Sequence, residues 1–79
     1  MKLSILGCGK WGSVFGITQD KNGHTVKIWE FDKARAEHVI KTRNNEPFLV
    51  GYKMPEEILI HWDIGKILEN ADVVIYAIP

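Results

Sequence analysis

The chain has 79 residues, with Lys plus Arg and Asp plus Glu at 10 each, so its formal net charge is zero; that balance gives no electrostatic footing for nucleic acid or an anionic membrane as the main partner. Hydrophobic residues make up 46% and charged residues 25%, a globular composition and not a disordered one. The single cysteine excludes an internal disulfide framework, and the longest apolar run, residues 73–79, falls far short of the roughly 20 residues that span a bilayer.

The length allows one domain at most, or part of one. The N-terminus enters glycine-rich sequence at once, with too short an apolar stretch for a signal peptide. A reducing cytoplasm is therefore expected. Residues 2–6 read as a first strand, with Leu3 and Ile5 on one side. Residues 10–21 read as a helix, with Trp11, Val14, Phe15 and Thr18 on one face. Asn22-Gly23 supplies a left-handed stop. Residues 25–30 alternate as a second strand, with Val26 and Ile28 on one side. Asp32 caps a second helix through about Lys41, whose buried face is Ala36, Val39 and Ile40. Residues 43–55 are irregular. A third strand is expected over 58–62. Asp63 caps a short helix with Ile64, Ile67 and Leu68 facing inward. Residues 73–78 are apolar on both faces, which predicts a parallel strand covered from both sides.

Strands alternating with helices mean parallel strands joined by right-handed crossovers. The fold class is α/β: a Rossmann-type parallel sheet with flanking helices, the N-terminal half of a dinucleotide-binding domain. The expected strand order is 3-2-1-4, with the first helix on one face, the last on the other, and the outer edge of the fourth strand bare. A chain this small buries only about 60% of its unfolded surface. Natural domains rarely finish on a buried strand, so a longer parent protein is expected.

The motif that carries chemistry is Gly7-Cys8-Gly9-Lys10-Trp11-Gly12. Alone, G-x-G-x-x-G is weak. Here it follows a predicted strand and opens a predicted helix within a βαβ unit, which is the required context. Gly7 permits the tight turn, Gly9 lets a pyrophosphate approach the backbone, and Gly12 lets the helix pack on the strand. The helix start offers N–H groups and a positive dipole end to phosphates. The plainer alternative is a glycine turn that binds nothing. Glu30 ends the second strand 18 residues after Gly12. An acid there accepts hydrogen bonds from the adenosine ribose and repels a 2′-phosphate, so it favours NAD over NADP. Its alternative is a solvated strand-end charge. Phe31 stands where an arginine would have favoured NADP, while Lys33 and Arg35 are near enough in sequence to leave NADP open.

These residues resemble the start of bacterial-type NAD(P)-dependent glycerol-3-phosphate dehydrogenase. The likeness begins with Gly7-x-Gly9-x-Trp11-Gly12 and continues in Asn22-Gly23-His24-x-Val26-x-Ile28-Trp29. A second block, Arg43-Asn44-Asn45-Glu46-Pro47-Phe48-Leu49-Val50-Gly51-Tyr52-Lys53-Met54-Pro55, is similar to the family's R-x-N-x-x-(Y/F)-L-P-G-x-x-L-P. A third runs from Asp63-Ile64 through Ala71-Asp72 into residues 73–79. The resemblance covers the whole chain. It implies hydride transfer between a nicotinamide cofactor and glycerol-3-phosphate or dihydroxyacetone phosphate, a step that supplies glycerophospholipid synthesis. It implies cofactor contacts at Lys10, Trp11 and Phe31, to join Gly7, Gly9, Gly12 and Glu30. It also implies that the catalytic residues, the substrate-phosphate ligands and a helical substrate domain lie beyond Pro79. No catalytic residue is assigned, and residues 1–79 alone are expected to be inactive. Partners would be the dinucleotide and a small phosphorylated substrate, with a homodimer as an option for the full-length enzyme. Neither nucleic acid nor membrane is expected as a partner. The sequence departs from the family in three places. Lys10 replaces a small hydroxyl residue, Glu30-Phe31 inverts the usual small-then-basic order, and Val50 replaces a proline.

The alternatives are another Rossmann dehydrogenase, of 6-phosphogluconate or hydroxyacid type, and a non-catalytic nucleotide-binding module. Cys8 at a helix start could have a lowered thiol pKa, yet hydride transfer needs no thiol, and it reads as a small turn-filling residue. His24, His38 and His61 lack metal-ligand spacing; His24 is expected at the surface where the second strand begins, and His38 in solvent. Lys41 and Arg43 read as a solvated basic pair, and Trp29 and Trp62 as packing residues.

Overall fold

The computed structural model describes residues 1–78. Four strands and three helices alternate: β1 (Lys2–Leu6), α1 (Lys10–Lys21), β2 (Thr25–Trp29), α2 (Lys33–Thr42), β3 (Leu59–His61), α3 (Ile64–Leu68) and β4 (Val73–Tyr76). The sheet is parallel throughout, in the order β3-β2-β1-β4. Chain order reverses direction between β1 and β4, so their C-terminal ends form the switch point where open α/β sheets bind ligands. The expected architecture and strand order are therefore observed.

The core lies on one face of the sheet. Ile5, Val26, Ile28 and Ile60 from three strands meet Ile17 of α1, Val39 of α2, and Met54 and Ile58 from the following loop. This follows from strand alternation, which sends Leu3 and Ile5 to one side and Ser4 to the other. On the opposite face Ser4 donates its hydroxyl proton to the carbonyl of Ile67 in α3. Lys27 adds its ammonium to the carbonyls of Lys66 and Glu69, at 3.3 and 2.9 Å, a cation placed at the negative end of that helix.

Four expectations change. In α1 the inward residues are Gly12, Ser13, Gly16 and Ile17, while Trp11, Val14 and Thr18 are exposed and Phe15 is half-buried. The helix lies so close to the sheet that a Cβ on Gly16 would stand 2.9 Å from Ile28 Cδ1. Small residues must face inward, and Trp11 stacks outside on Phe15 with ring centroids 5.2 Å apart. In α3 only Ile67 is buried and Ile64 and Leu68 are exposed, because Ser4 and Lys27 make the sheet beneath it polar. β4 is an edge strand paired with β1, and Val73, Val74 and Tyr76 are exposed; no described element covers that side. It spans four residues, with Ala77 and Ile78 continuing past its end. Pro79, the last residue of the expected apolar run, lies outside the described residues.

The fourth change concerns Arg43. It caps the C-terminus of α2 in the left-handed region, with φ 59°. Its Nη1 donates to the carbonyls of Pro55 and Ile58, at 3.0 and 2.7 Å. The side chain is a clasp for the 43–58 loop, not half of a solvated pair. α2 otherwise keeps Ala36 and Val39 buried and Ile40 half-buried, as its periodicity predicts. Among the described residues no helix is long and apolar enough to cross a membrane.

Candidate functional site

The glycine turn connects β1 to α1 at the switch point. Gly7 takes φ +134°, and a Cβ there would sit 2.7 Å from the carbonyl oxygen of Ala77. A larger residue would force apart the ends of β1 and β4. At Gly12 an added Cβ would lie 2.1 Å from the Gly7 carbonyl oxygen, so this position locks the first turn of the helix against the strand end. Gly9 differs: a Cβ there would meet nothing within 4 Å. The space above it is open, and that is the position at which a ligand can approach the backbone.

Gly9 is also the N-cap of α1, and no side chain caps the helix. Its first-turn N–H groups therefore keep free donor capacity. Uncapped N–H groups plus the positive end of the helix dipole make an anion site. Around it opens a cleft of about 640 Å³, within the range of small-molecule pockets. Gly7, Gly9, Lys10, Trp11, Glu30 and Phe31 line it. Gly12 does not; it sits behind the turn as a packing residue. Six of the seven residues singled out as cofactor contacts are thus brought to one cleft.

Glu30 is only 7% exposed, so it is not a solvated strand-end charge. A buried carboxylate needs compensation, and two groups supply it. Glu30 Oε1 pairs with Arg35 Nε at 3.2 Å, and Oε2 accepts from the Asp32 N–H at 2.9 Å. A carboxylate has about four acceptor positions, so capacity remains for a ribose hydroxyl.

Sequence reasoning missed the network behind the turn. Arg35 Nη2 donates to the Cys8 carbonyl at 3.0 Å and to Asn45 Oδ1. Asn45 is fully buried and donates from Nδ2 to Ser13 Oγ at 2.7 Å and to the Cys8 carbonyl at 3.2 Å. The Arg35 guanidinium lies 4.9 Å from the centroid of Phe48. Loop 43–55, the glycine turn and the start of α2 are therefore one connected unit. The second resemblance block held the signal, since Asn45 and Phe48 both belong to it. The Asn45 contacts with Ser13 and Cys8 cross 32 and 37 residues of sequence, which local periodicity cannot show.

Cys8 is buried. Burial pushes its thiol pKa up, and the nearby Arg35 charge pulls it only partly back. A neutral, enclosed thiol is a packing group. His24 Nδ1 accepts from the N-terminal ammonium at 3.0 Å, and His61 Nδ1 accepts the Asp63 N–H at 2.9 Å. Trp29 reaches across to β3's end, donating from Nε1 to the Trp62 carbonyl at 2.8 Å.

A family model described as NAD-dependent glycerol-3-phosphate dehydrogenase N-terminus matches residues 2–79. Glycerol-3-phosphate dehydrogenase (NAD(P)+) of Thermoanaerobacter sp. strain X514 is 35% identical over 79 residues, which is 100% of this chain and 24% of that protein. The protein of the same name from Fusobacterium nucleatum is also 35% identical, with the same coverage. The chain thus spans about a quarter of the length of these curated relatives. Among solved structures, glycerol-3-phosphate dehydrogenase from Coxiella burnetii superposes with a TM-score of 0.90 at 23% identity, over 99% of this chain and 24% of that one. At that identity the likeness is one of fold.

Proposed function

The chain belongs to the family of NAD-dependent glycerol-3-phosphate dehydrogenase N-termini, and from that premise we propose that it is the N-terminal portion of a dinucleotide-binding domain that holds NAD(H), and NADP(H) as a second cofactor. The observation that carries this reading is the uncapped start of α1 beneath the open backbone at Gly9, at the switch point of the sheet. Gly7 and Gly9 would hold the pyrophosphate there, with Lys10 adding positive charge. Glu30 accepts from the adenosine ribose, and Trp11 and Phe31 flank the cleft as apolar walls. Gly12 acts from behind by keeping the turn tight.

When bound, the nicotinamide cofactor would supply the hydride chemistry that interconverts dihydroxyacetone phosphate and glycerol-3-phosphate. Within a longer polypeptide, this chain's residues would bind and orient the dinucleotide. The groups that hold the substrate phosphate and move its proton belong to the remainder of the Rossmann domain and a helical substrate domain. We assign no catalytic residue to residues 1–79. A cytoplasmic location and a homodimer of the longer polypeptide belong to the same proposal.

An amide-correlation NMR titration with NADH tests the reading. Shifts are expected at Gly7, Gly9, the first turn of α1 and Glu30. A dispersed spectrum that ignores the dinucleotide would favour a module without this cofactor. Turnover of NADH with dihydroxyacetone phosphate by the 79 residues alone would overturn the division of labour.

A further inference from the structure

Read from sequence, Glu30 followed by Phe31 favours NAD, because a carboxylate repels a 2′-phosphate and Phe31 offers no donor. The structure changes the electrostatics of that corner. The Glu30 carboxylate does not stand alone: Arg35, from the first turn of α2, pairs with it at 3.2 Å. The Arg35 side chain is 24% exposed and lines the same cleft.

Its guanidinium is fixed on three sides. Nε faces Glu30, Nη2 donates to both the Cys8 carbonyl and Asn45, and the Phe48 ring supports the plane. An arginine has five N–H donors. Nε and Nη2 are engaged, while Nη1 makes no hydrogen bond among the described residues. A guanidinium held in place with Nη1 free is prepared for a phosphate, because Nη1 keeps two N–H groups for phosphate oxygens, the charge is permanent, and little side-chain freedom is lost on binding. The other basic residue that the sequence brings near this corner behaves differently. Lys33 extends over the Trp62 ring, 5.3 Å from its centroid, and does not line the cleft.

We propose that Arg35 is the specificity-determining residue of this cleft: it receives the 2′-phosphate of NADP through Nη1, so that the cleft takes both cofactors despite Glu30. The proposal rests on the dinucleotide reading above. Glu30 and Arg35 then divide the work. Glu30 accepts from the ribose hydroxyls and holds the arginine, and Arg35 offsets the carboxylate's repulsion and binds the added phosphate. The same pair explains how an acid at the strand end coexists with NADP binding.

Calorimetric titration of the chain with NADH and NADPH, before and after substitution of Arg35, tests this. Arg35→Gln is expected to weaken NADPH roughly 10- to 100-fold and NADH less than about 3-fold. Arg35→Lys, a point charge on a stem that the Cys8 and Asn45 contacts no longer fix, should fall between the two. Glu30→Gln should raise the preference for NADPH over NADH. A purely positional role for Arg35, through Cys8 and Asn45, would weaken both cofactors together and leave their ratio unchanged, which overturns the proposal. Binding of NADH without NADPH by the unsubstituted chain overturns it too, while leaving the dinucleotide reading intact. Binding of neither overturns both.

Discussion

Helices α1 and α2 both start at the rim of the cleft, and they start differently. α2 is closed by its own chain: Asp32 accepts the N–H groups of Ala34 and Arg35 at 3.1 and 3.4 Å. α1 begins at Gly9 with no side-chain cap and no acidic residue in its first turn. Its first residue is Lys10, a cation at the positive end of a helix dipole, an arrangement unfavourable by roughly 0.3–1 kcal/mol on its own. One helix satisfies its end groups for stability. Both helices start on a lysine, Lys10 and Lys33, but only α1 leaves its end groups free, which makes sense when an anion completes the end.

Three substitutions probe the contrast, taken from the largest effect down. Gly12→Ala puts a Cβ 2.1 Å from the Gly7 carbonyl oxygen, a backbone collision that cannot be relieved by a rotamer change. We expect a loss of about 3 kcal/mol or more in a urea titration. An unchanged midpoint would mean that the turn spreads freely and that its tightness is not structural. Gly9→Asp gives α1 the start that α2 has. Space is available there, so stability should change by only a few tenths of a kcal/mol. NADH affinity should nevertheless fall roughly 100-fold, since a carboxylate then occupies and repels from the anion site. Retained affinity would move the pyrophosphate elsewhere. Asp32→Ala gives α2 an unsatisfied start like that of α1, and thermal unfolding should register a loss of about 1 kcal/mol. No loss would show that the α2 cap is redundant with the packing of Ala36 and Val39.

The same contrast shows what could be read before the structure. The parallel order, the glycine turn and the placement of Glu30 at a strand end follow from short-range patterns, and they hold. The inward face of α1 does not follow, because apolar periodicity marks large residues. Close packing of a helix on a sheet instead selects small ones, here Gly12, Ser13 and Gly16. Glu30 could be found from spacing; its burial and its pairing with Arg35 could not. Nor could the role of Asn45, whose value comes from meeting Ser13 and Cys8 across the fold. Arg43 looked solvated because charge was its only local property; its left-handed backbone and two carbonyl partners are set by the loop it closes.

The placement of the three tryptophans has an optical consequence. Trp62 stacks on His61 with centroids 4.0 Å apart, and Trp29 is tied to the Trp62 carbonyl through its indole N–H. Trp11 alone is more than half exposed, at 57%, and it stands at the lip of the glycine turn. Its emission therefore senses water at the lip, while Trp29, which also lines the cleft, is tied by its indole N–H and Trp62 does not line the cleft. Anything that settles on the turn displaces that water and shifts the Trp11 spectrum. The chain thus carries its own unlabelled fluorescent gauge of whether the cleft is filled.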